Sequence, residues 1–174
     1  MDKFEFLNLH KKQLTQLLAM IMSDGGISKG YNWYEIYFVQ RYPEPCYCFK
    51  KLVKSLFKIN VDVEQRKDGM FRVRIKNREI FDFIRSLIKG IKKDERIIPN
   101  FIMNEKELGK EFLRVMFGCE GSASYDRKRK CVKIEIACKS KRLKLQLQKM
   151  LRKYNISSRV YESSLQIRKK EFSY

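Results

Sequence analysis

Residues 14–27 read LTQLLAMIMSDGGI, and within them residues 17–22 are all apolar. A helix with apolar residues on almost every side is buried on both faces rather than laid on the surface. The run stops at Gly25 and Gly26, residues that take the backbone conformations of a helix end at no steric cost. Asp24 is then left at the mouth of a buried helix, where a lone carboxylate is normally avoided and where its charge opposes the helix dipole. The pattern returns in residues 111–122, EFLRVMFGCEGS, an apolar run that ends in Glu120 and Gly121. Packed side by side, two such helices bring two acids together at one end. Neighbouring carboxylates repel unless a cation lies between them, and hard cations such as magnesium take oxygen ligands.

Outward from these runs, the two halves of the chain follow one order. After the first run, residues 33–40 (WYEIYFVQ) are rich in strand-favouring types. Trp33, Glu35 and Tyr37 share one face; Tyr34, Ile36 and Phe38 share the other. Pro43 and Pro45 mark a hand-over from strand to helix. Residues 46–59 form an amphipathic helix with Phe49, Leu52, Val53, Leu56 and Phe57 inside. A hairpin follows, with strands near 61–66 and 70–76 about an Asp68-Gly69 turn. Residues 80–91 form a further amphipathic helix. After the second run, from about 105 to 119, come strands at 122–125 and 131–138. A helix at 141–154 and a last hairpin, 157–161 with 165–169, complete that half. Asn60 and Asn155 each close the amphipathic helix before the last hairpin, which supports an internal repeat independently of the apolar runs. Residues 1–10 are a short lead-in.

The expected division is therefore residues 1–91, a Pro99-containing linker at 92–103, and residues 104–174. The fold class is α+β, with two pseudo-symmetric αββαββ(α) halves packed through the two apolar helices. The second half has no room before Tyr174 for a counterpart of helix 80–91. Either the chain is truncated or the protein does without that helix.

The 174 residues carry 39 basic and 20 acidic side chains, a formal charge of +19. That excess points to a polyanion, either nucleic acid or a membrane surface. Basic residues that alternate along strands, rather than lining one helix face, disfavour the membrane. No uninterrupted apolar span is long enough to cross a bilayer, and the opening MDKFEFLNLHKK lacks the pattern of a signal peptide. Five cysteines and a single histidine, His10, give no paired zinc spacing. The cysteines read as reduced and mostly buried, in a protein kept inside the cell, in cytoplasm or an organelle interior, and not secreted.

LLAMIMSDG at 17–25 and LRVMFGCEG at 113–121 resemble the two signature helices of the LAGLIDADG homing endonucleases, in their single-chain, two-motif form. In the first copy Ala19 and Ser23 fill the small-residue slots through which the helix backbones approach. The second copy departs, with Val115 and Cys119 in those slots and Gly118 out of register. The resemblance covers nearly the whole chain. It implies a site-specific, intron-encoded endonuclease that hydrolyses both strands of duplex DNA across the minor groove and leaves short 3′ overhangs.

The same resemblance assigns roles. Asp24 and Glu120 would hold the divalent cation, assisted by the backbone carbonyls of Ser23 and Cys119. Mg2+ or Mn2+ is the implied working ion, while Ca2+ would bind without supporting cleavage. A polar and a basic residue are expected at the end of the strand before each amphipathic helix. Gln40 and Arg41 stand there in the first half, Cys138 and Lys139 in the second. Gln40 would orient water, and Arg41 and Lys139 would stabilise charge on phosphate. Cys138 replaces a polar water-binding residue poorly, and Ala123 stands where a lysine is often found.

The hairpins are expected to form two curved sheets that make one saddle along the DNA, since a two-stranded ribbon fits the major groove. Trp33, Glu35, Tyr37, Arg72, Arg74 and Lys76 are the candidate contacts of the first half. Lys133, Glu135, Gln166, Arg168 and Lys170 are those of the second; together they mix base-reading and phosphate-binding types. The basic turn of Arg127, Lys128, Arg129 and Lys130 would grip the backbone. The expected partner is double-stranded DNA, bound by a monomer. The competing reading is a non-cleaving nucleic-acid-binding module, such as an intron-RNA maturase on the same fold.

Overall fold

The computed structural model describes residues 3–128 and 130–170. Its central element is α1 (Lys3–Met22). Leu14, Leu17, Leu18, Ala19 and Ile21 on this helix are wholly buried, so the apolar run is enclosed on both faces as its sequence demands. The second signature helix, α5 (Lys106–Glu120), lies against it. Cross-helix pairs set the register. Lys11 Nζ meets Glu105 Oε1 at 2.5 Å, Gln16 Nε2 donates to Glu111 Oε1 at 2.5 Å, and Ser23 hydrogen-bonds Cys119. The offset hardly changes along the pair. The helices therefore run parallel and finish side by side.

Each signature helix feeds a four-stranded antiparallel sheet. β1 (Gly25–Lys29), β2 (Tyr34–Gln40), β3 (Val63–Gln65) and β4 (Phe71–Ile75) form the first, in the order β1-β2-β4-β3. β5 (Gly121–Asp126), β6 (Cys131–Ala137), β7 (Arg159–Val160) and β8 (Ser164–Lys170) form the second, in the order β5-β6-β8-β7. The identical strand order makes the two halves structural repeats. Alternation decides which face is covered. Ile36, Phe38, Val73 and Ile75 of the first sheet are buried under the helices, whereas Tyr37 pairs with Arg74 and Val39 with Arg72 on the opposite face. In the second sheet Ile136 and Leu165 are buried, and Lys133 pairs with Arg168 and Glu135 with Gln166 on the outer face.

Helices α2 (Pro43–Phe57) and α6 (Lys141–Arg152) back the two sheets. Pro43 and Pro45 lie in the first turn of α2 rather than before it, so that helix starts earlier than its apolar periodicity alone suggests. A first-turn proline loses no intrahelical hydrogen bond and presets the helical φ. Phe49 on α2 stacks on Phe38 of β2, with ring centroids 5.4 Å apart. Ser140 caps α6 by accepting from Leu143 N at 3.2 Å. α3 (Arg78–Ile88) begins at an Asn77 cap and ends where Lys89 turns left-handed (φ 55°), short of the expected residue 91. Among the described residues α3 has no counterpart in the second half.

Two stretches differ from their sequence reading. The lead-in is helical and belongs to α1, broken from the signature run by a kink at His10 (φ −121°, ψ 16°). Phe6 anchors this arm, with ring centroids 5.9 Å from Phe57 and 5.5 Å from Phe83. The stretch at 92–103 runs into α4 (Asn100–Asn104). It is tied to the second half as Ile98 N donates to Gln146 Oε1 at 3.0 Å and Gln146 Nε2 returns a bond to Ile98 O at 3.2 Å. All five cysteines are free: Cys46 and Cys131 are buried, Cys119 and Cys138 half-buried and Cys48 exposed. No helix among the described residues is long and apolar enough to cross a membrane.

Candidate functional site

The parallel ends of α1 and α5 bring Asp24 and Glu120 within hydrogen-bond reach of each other. Asp24 is half-buried, and its carboxyl is raised to about 6, first by loss of solvent and then by the neighbouring Glu120 charge. Neighbouring carboxylates repel, and a cation between them relieves that repulsion. The first sheet fixes the geometry. Gly25 pairs with Phe38, and Val39 N donates to Asp24 O at 3.3 Å. Gln40 is thereby set beside the acid, and its Nε2 donates to Asp24 Oδ2.

The glycines of the two motifs act differently from their sequence reading. Neither Gly25 nor Gly121 has a positive φ. What they supply is space. A Cβ on Gly25 would lie 2.7 Å from both Ile21 Cα and Tyr37 O, and one on Gly121 would lie 2.2 Å from Phe117 O. The chain must fold back from helix to strand in contact with its own last turn, and only glycine allows that approach. Gly118, by contrast, is exposed with nothing near its missing Cβ.

The small-residue slots also meet. Ser23, 1% exposed, hydrogen-bonds across the helices to Cys119, whose thiol is pushed up by burial and by the two acids. In the second half Gly121 pairs with Ile136, so the position matching Gln40 falls on Cys138. Cys138 Sγ donates to Ser140 O at 3.6 Å, and burial raises its thiol. Glu120, Cys138, Lys139 and Ser140 line a cavity of about 630 Å3 at the helix ends. Arg41 is exposed and sits over the Tyr42 ring, 6.0 Å from its centroid, rather than over the acids. Of the four flanking residues named from sequence, Gln40, Cys138 and Lys139 come to the acids and Arg41 does not.

Sequence reasoning missed one side chain here. Lys93 lines the same cavity, donates to Ser23 O at 2.8 Å, and draws the Asp24 carboxyl down against burial. It belongs to the KKDER run at 92–96, which reads from sequence as an ordinary solvated segment. Arg96 of the same run is 3% exposed and donates to Ile21 O at 3.3 Å. Two cations thus face the carbonyl end of α1, the favourable sign for a helix C-terminus.

The outer sheet faces carry most of the other sequence candidates, already joined into networks. Glu64, which the sequence does not single out, holds Arg74 at 2.8 Å and Arg72 at 3.3 Å. Lys133 meets Glu135 at 2.9 Å, Gln166 Nε2 donates to Glu135 Oε1 at 3.0 Å, and Arg168 donates to Gln166 Oε1 at 3.1 Å. These contacts hold the Glu135 carboxyl down to about 2, Ser164 contributing most. Glu35 accepts from Ser28 Oγ at 3.3 Å. Trp33 is 54% exposed beside the fully exposed Tyr31, at the tip between β1 and β2. Lys76 follows β4 and is exposed, as are Arg127, Lys128 and Lys130 in the turn between β5 and β6. Arg129 and the side chain of Lys170 lie outside the described residues.

The donors at the helix ends suit a hard cation: two carboxylates that repel each other, with backbone carbonyls alongside. The described residues contain no group of three or more His, Cys, Asp and Glu able to hold a metal ion. An ion here would therefore rest on Asp24, Glu120, backbone oxygens and water.

Comparison with known proteins places this geometry. A family model for the WhiA LAGLIDADG-like domain matches residues 14–96, and one for a LAGLIDADG-like domain matches residues 107–174. No curated protein matches the sequence. Mesophilic variants of the homing endonuclease I-DmoI superpose with a TM-score of 0.68 at 14% identity, over 91% of this chain and 88% of theirs. I-DmoI in complex with DNA and Ca gives 0.65 at 14% identity, over 90% and 82%. The N-terminal LAGLIDADG domain of DUF199/WhiA gives 0.62 at 18% identity, over 93% and 77%. With both halves matched and the two motif helices paired at its centre, the chain carries two LAGLIDADG-like domains in the fold it shares with I-DmoI and WhiA.

Proposed function

We propose that the protein is a divalent-cation-dependent DNA endonuclease of the homing type, with residues 1–91 and 104–174 acting as one monomeric unit joined through 92–103. The observation that carries this reading is the convergence of Asp24 and Glu120 at the parallel ends of α1 and α5. A cation between them offsets the burial and the Glu120 repulsion that raise the Asp24 carboxyl. Asp24, Glu120 and the carbonyls of Ser23 and Cys119 would hold it. Bound there, Mg2+ or Mn2+ supplies an activated water and charge relief on the leaving oxygen; Ca2+ would bind without cleavage. I-DmoI has been solved with DNA and Ca and with DNA and Mn.

The chain's own groups do the rest. Gln40 holds one Asp24 oxygen and orients water beside it. Lys139, in the same cavity as Glu120, meets phosphate charge. Arg41 reaches a phosphate only by leaving Tyr42. The outer sheet faces form the DNA saddle, with Arg72, Arg74, Lys133 and Arg168 on the backbone and Tyr37, Glu35, Glu135 and Gln166 toward base edges. The test is Mg2+-dependent cleavage of a duplex library containing intron-insertion sites, run beside Asp24→Asn and Glu120→Gln. Wild type cuts and both variants do not.

One observation favours a second reading, a nucleic-acid-binding module that does not cleave. Cys138 stands where the first half has Gln40 beside the acid, and Ala123 stands where the resemblance leads one to expect a lysine. Tight binding of intron RNA, with duplex DNA left intact, is the result that selects it.

A further inference from the structure

Lys93 lies on neither a signature helix nor a strand, yet its ammonium rests on the carbonyl of Ser23 at 2.8 Å, beside Asp24. It is delivered there. Arg96, three residues on, is buried and donates to Ile21 O at 3.3 Å and Ile91 O at 2.9 Å. Ile97 N bonds Ile88 O at 2.9 Å. These contacts pin the segment against the last turn of α1. The second motif has no such device: among the described residues, the Cys119 carbonyl accepts from no lysine or arginine. One tethered positive charge therefore rests on the carbonyl of the first motif, in the cavity that Glu120 and Cys138 also line.

We propose that Lys93 is a built-in cation that occupies the Ser23 carbonyl beside Asp24 and must leave before a divalent ion binds there. The inference rests on the metal reading above. A lysine is a compact, strongly hydrated charge on a flexible stem, and Lys93 is exposed, so solvent is open to it when it leaves. An ammonium and a divalent ion cannot share one carbonyl oxygen and one carboxylate without repulsion. Lys93 keeps the Ser23 carbonyl paired and weakens the binding of a divalent ion beside Asp24.

The test is Mn2+ binding to the full chain without DNA, followed by electron paramagnetic resonance, for wild type, Lys93→Met and Lys93→Arg. Removing the charge while keeping the stem tightens Mn2+ binding about fivefold, the affinity equivalent of a strong exposed charge pair. Lys93→Arg stays near wild type. Thermal melts confirm that each variant is folded. Binding to Lys93→Met that equals or falls below wild type overturns the role of Lys93. If that binding still disappears in Asp24→Asn, the metal site itself survives. Mn2+ binding that ignores Asp24→Asn overturns the metal site and the Lys93 inference together.

Discussion

The carboxyl groups of Asp24 and Glu120 share a hydrogen bond at the joint end of two parallel helices, one from each half of the chain. Burial first, and Glu120 second, raise the Asp24 carboxyl, and the shift has a thermodynamic sign. Asp24 carries a folded-state pKa of about 6, above the unfolded value of about 4. A group raised in this way costs nothing below the unfolded value. Its penalty grows as pH rises between the two values and is then constant. The metal-free protein therefore loses stability from Asp24 between about pH 4 and pH 6, and Asp24→Asn does not. With half of the side chain in solvent, the difference at pH 7 is about 1 kcal/mol after screening. Denaturant melts of both proteins across this range measure it. Ca2+ narrows the gap by stabilising wild type alone.

The motif glycines separate space from conformation. Gly25→Ala and Gly121→Ala place a methyl against backbone atoms that cannot yield, and each should cost about 2 kcal/mol or more. Gly118→Ala, in the exposed part of α5, should gain about 0.5–1 kcal/mol from helix propensity. Urea unfolding of the three variants checks the contrast. Comparable losses at all three positions would mean that the close approach is not what selects glycine.

Glu64 ties up two arginines on the outer face of the first sheet. Glu64→Ala frees both charges for phosphate. Non-specific duplex binding should strengthen severalfold, and the salt dependence of binding should steepen by up to about two phosphate contacts. Fluorescence anisotropy over a range of salt concentrations gives both numbers.

The aromatic pair Phe38 and Phe49 fixes α2 to the first sheet. Phe49→Ala removes a wholly buried ring and should destabilise the protein by about 3–5 kcal/mol. A smaller loss, read by denaturant unfolding, would show that the site collapses around the cavity.

Much of this architecture is legible from periodicity. The twofold recurrence of an apolar run, a hairpin, an amphipathic helix and a second hairpin is there to be read, and the alternation in FRVRI assigns its inner and outer faces correctly. The limits lie where distant segments meet. Nothing local in MDKFEFLNL announces a helix, because Phe6 is held by Phe57 and Phe83 rather than by its neighbours. Gly25 looks like a helix stop chosen for its dihedral freedom, and only the approach of Tyr37 O shows that volume is the constraint. Lys93 sits in a charge run typical of solvent-exposed chain. Its place on Ser23 follows from the packing of Arg96, which no spacing rule reveals. The family resemblance puts Arg41 beside the acids, but position beyond a strand end does not fix where a long side chain goes.

The most direct measurement of the central claim is to map, on both strands, the ends produced from a bound duplex target in Mg2+. The two-acid site predicts cuts in both strands a few bases apart, with short 3′ overhangs, and none with Asp24→Asn or Glu120→Gln. A wild-type protein that holds the duplex tightly and leaves both strands whole contradicts it.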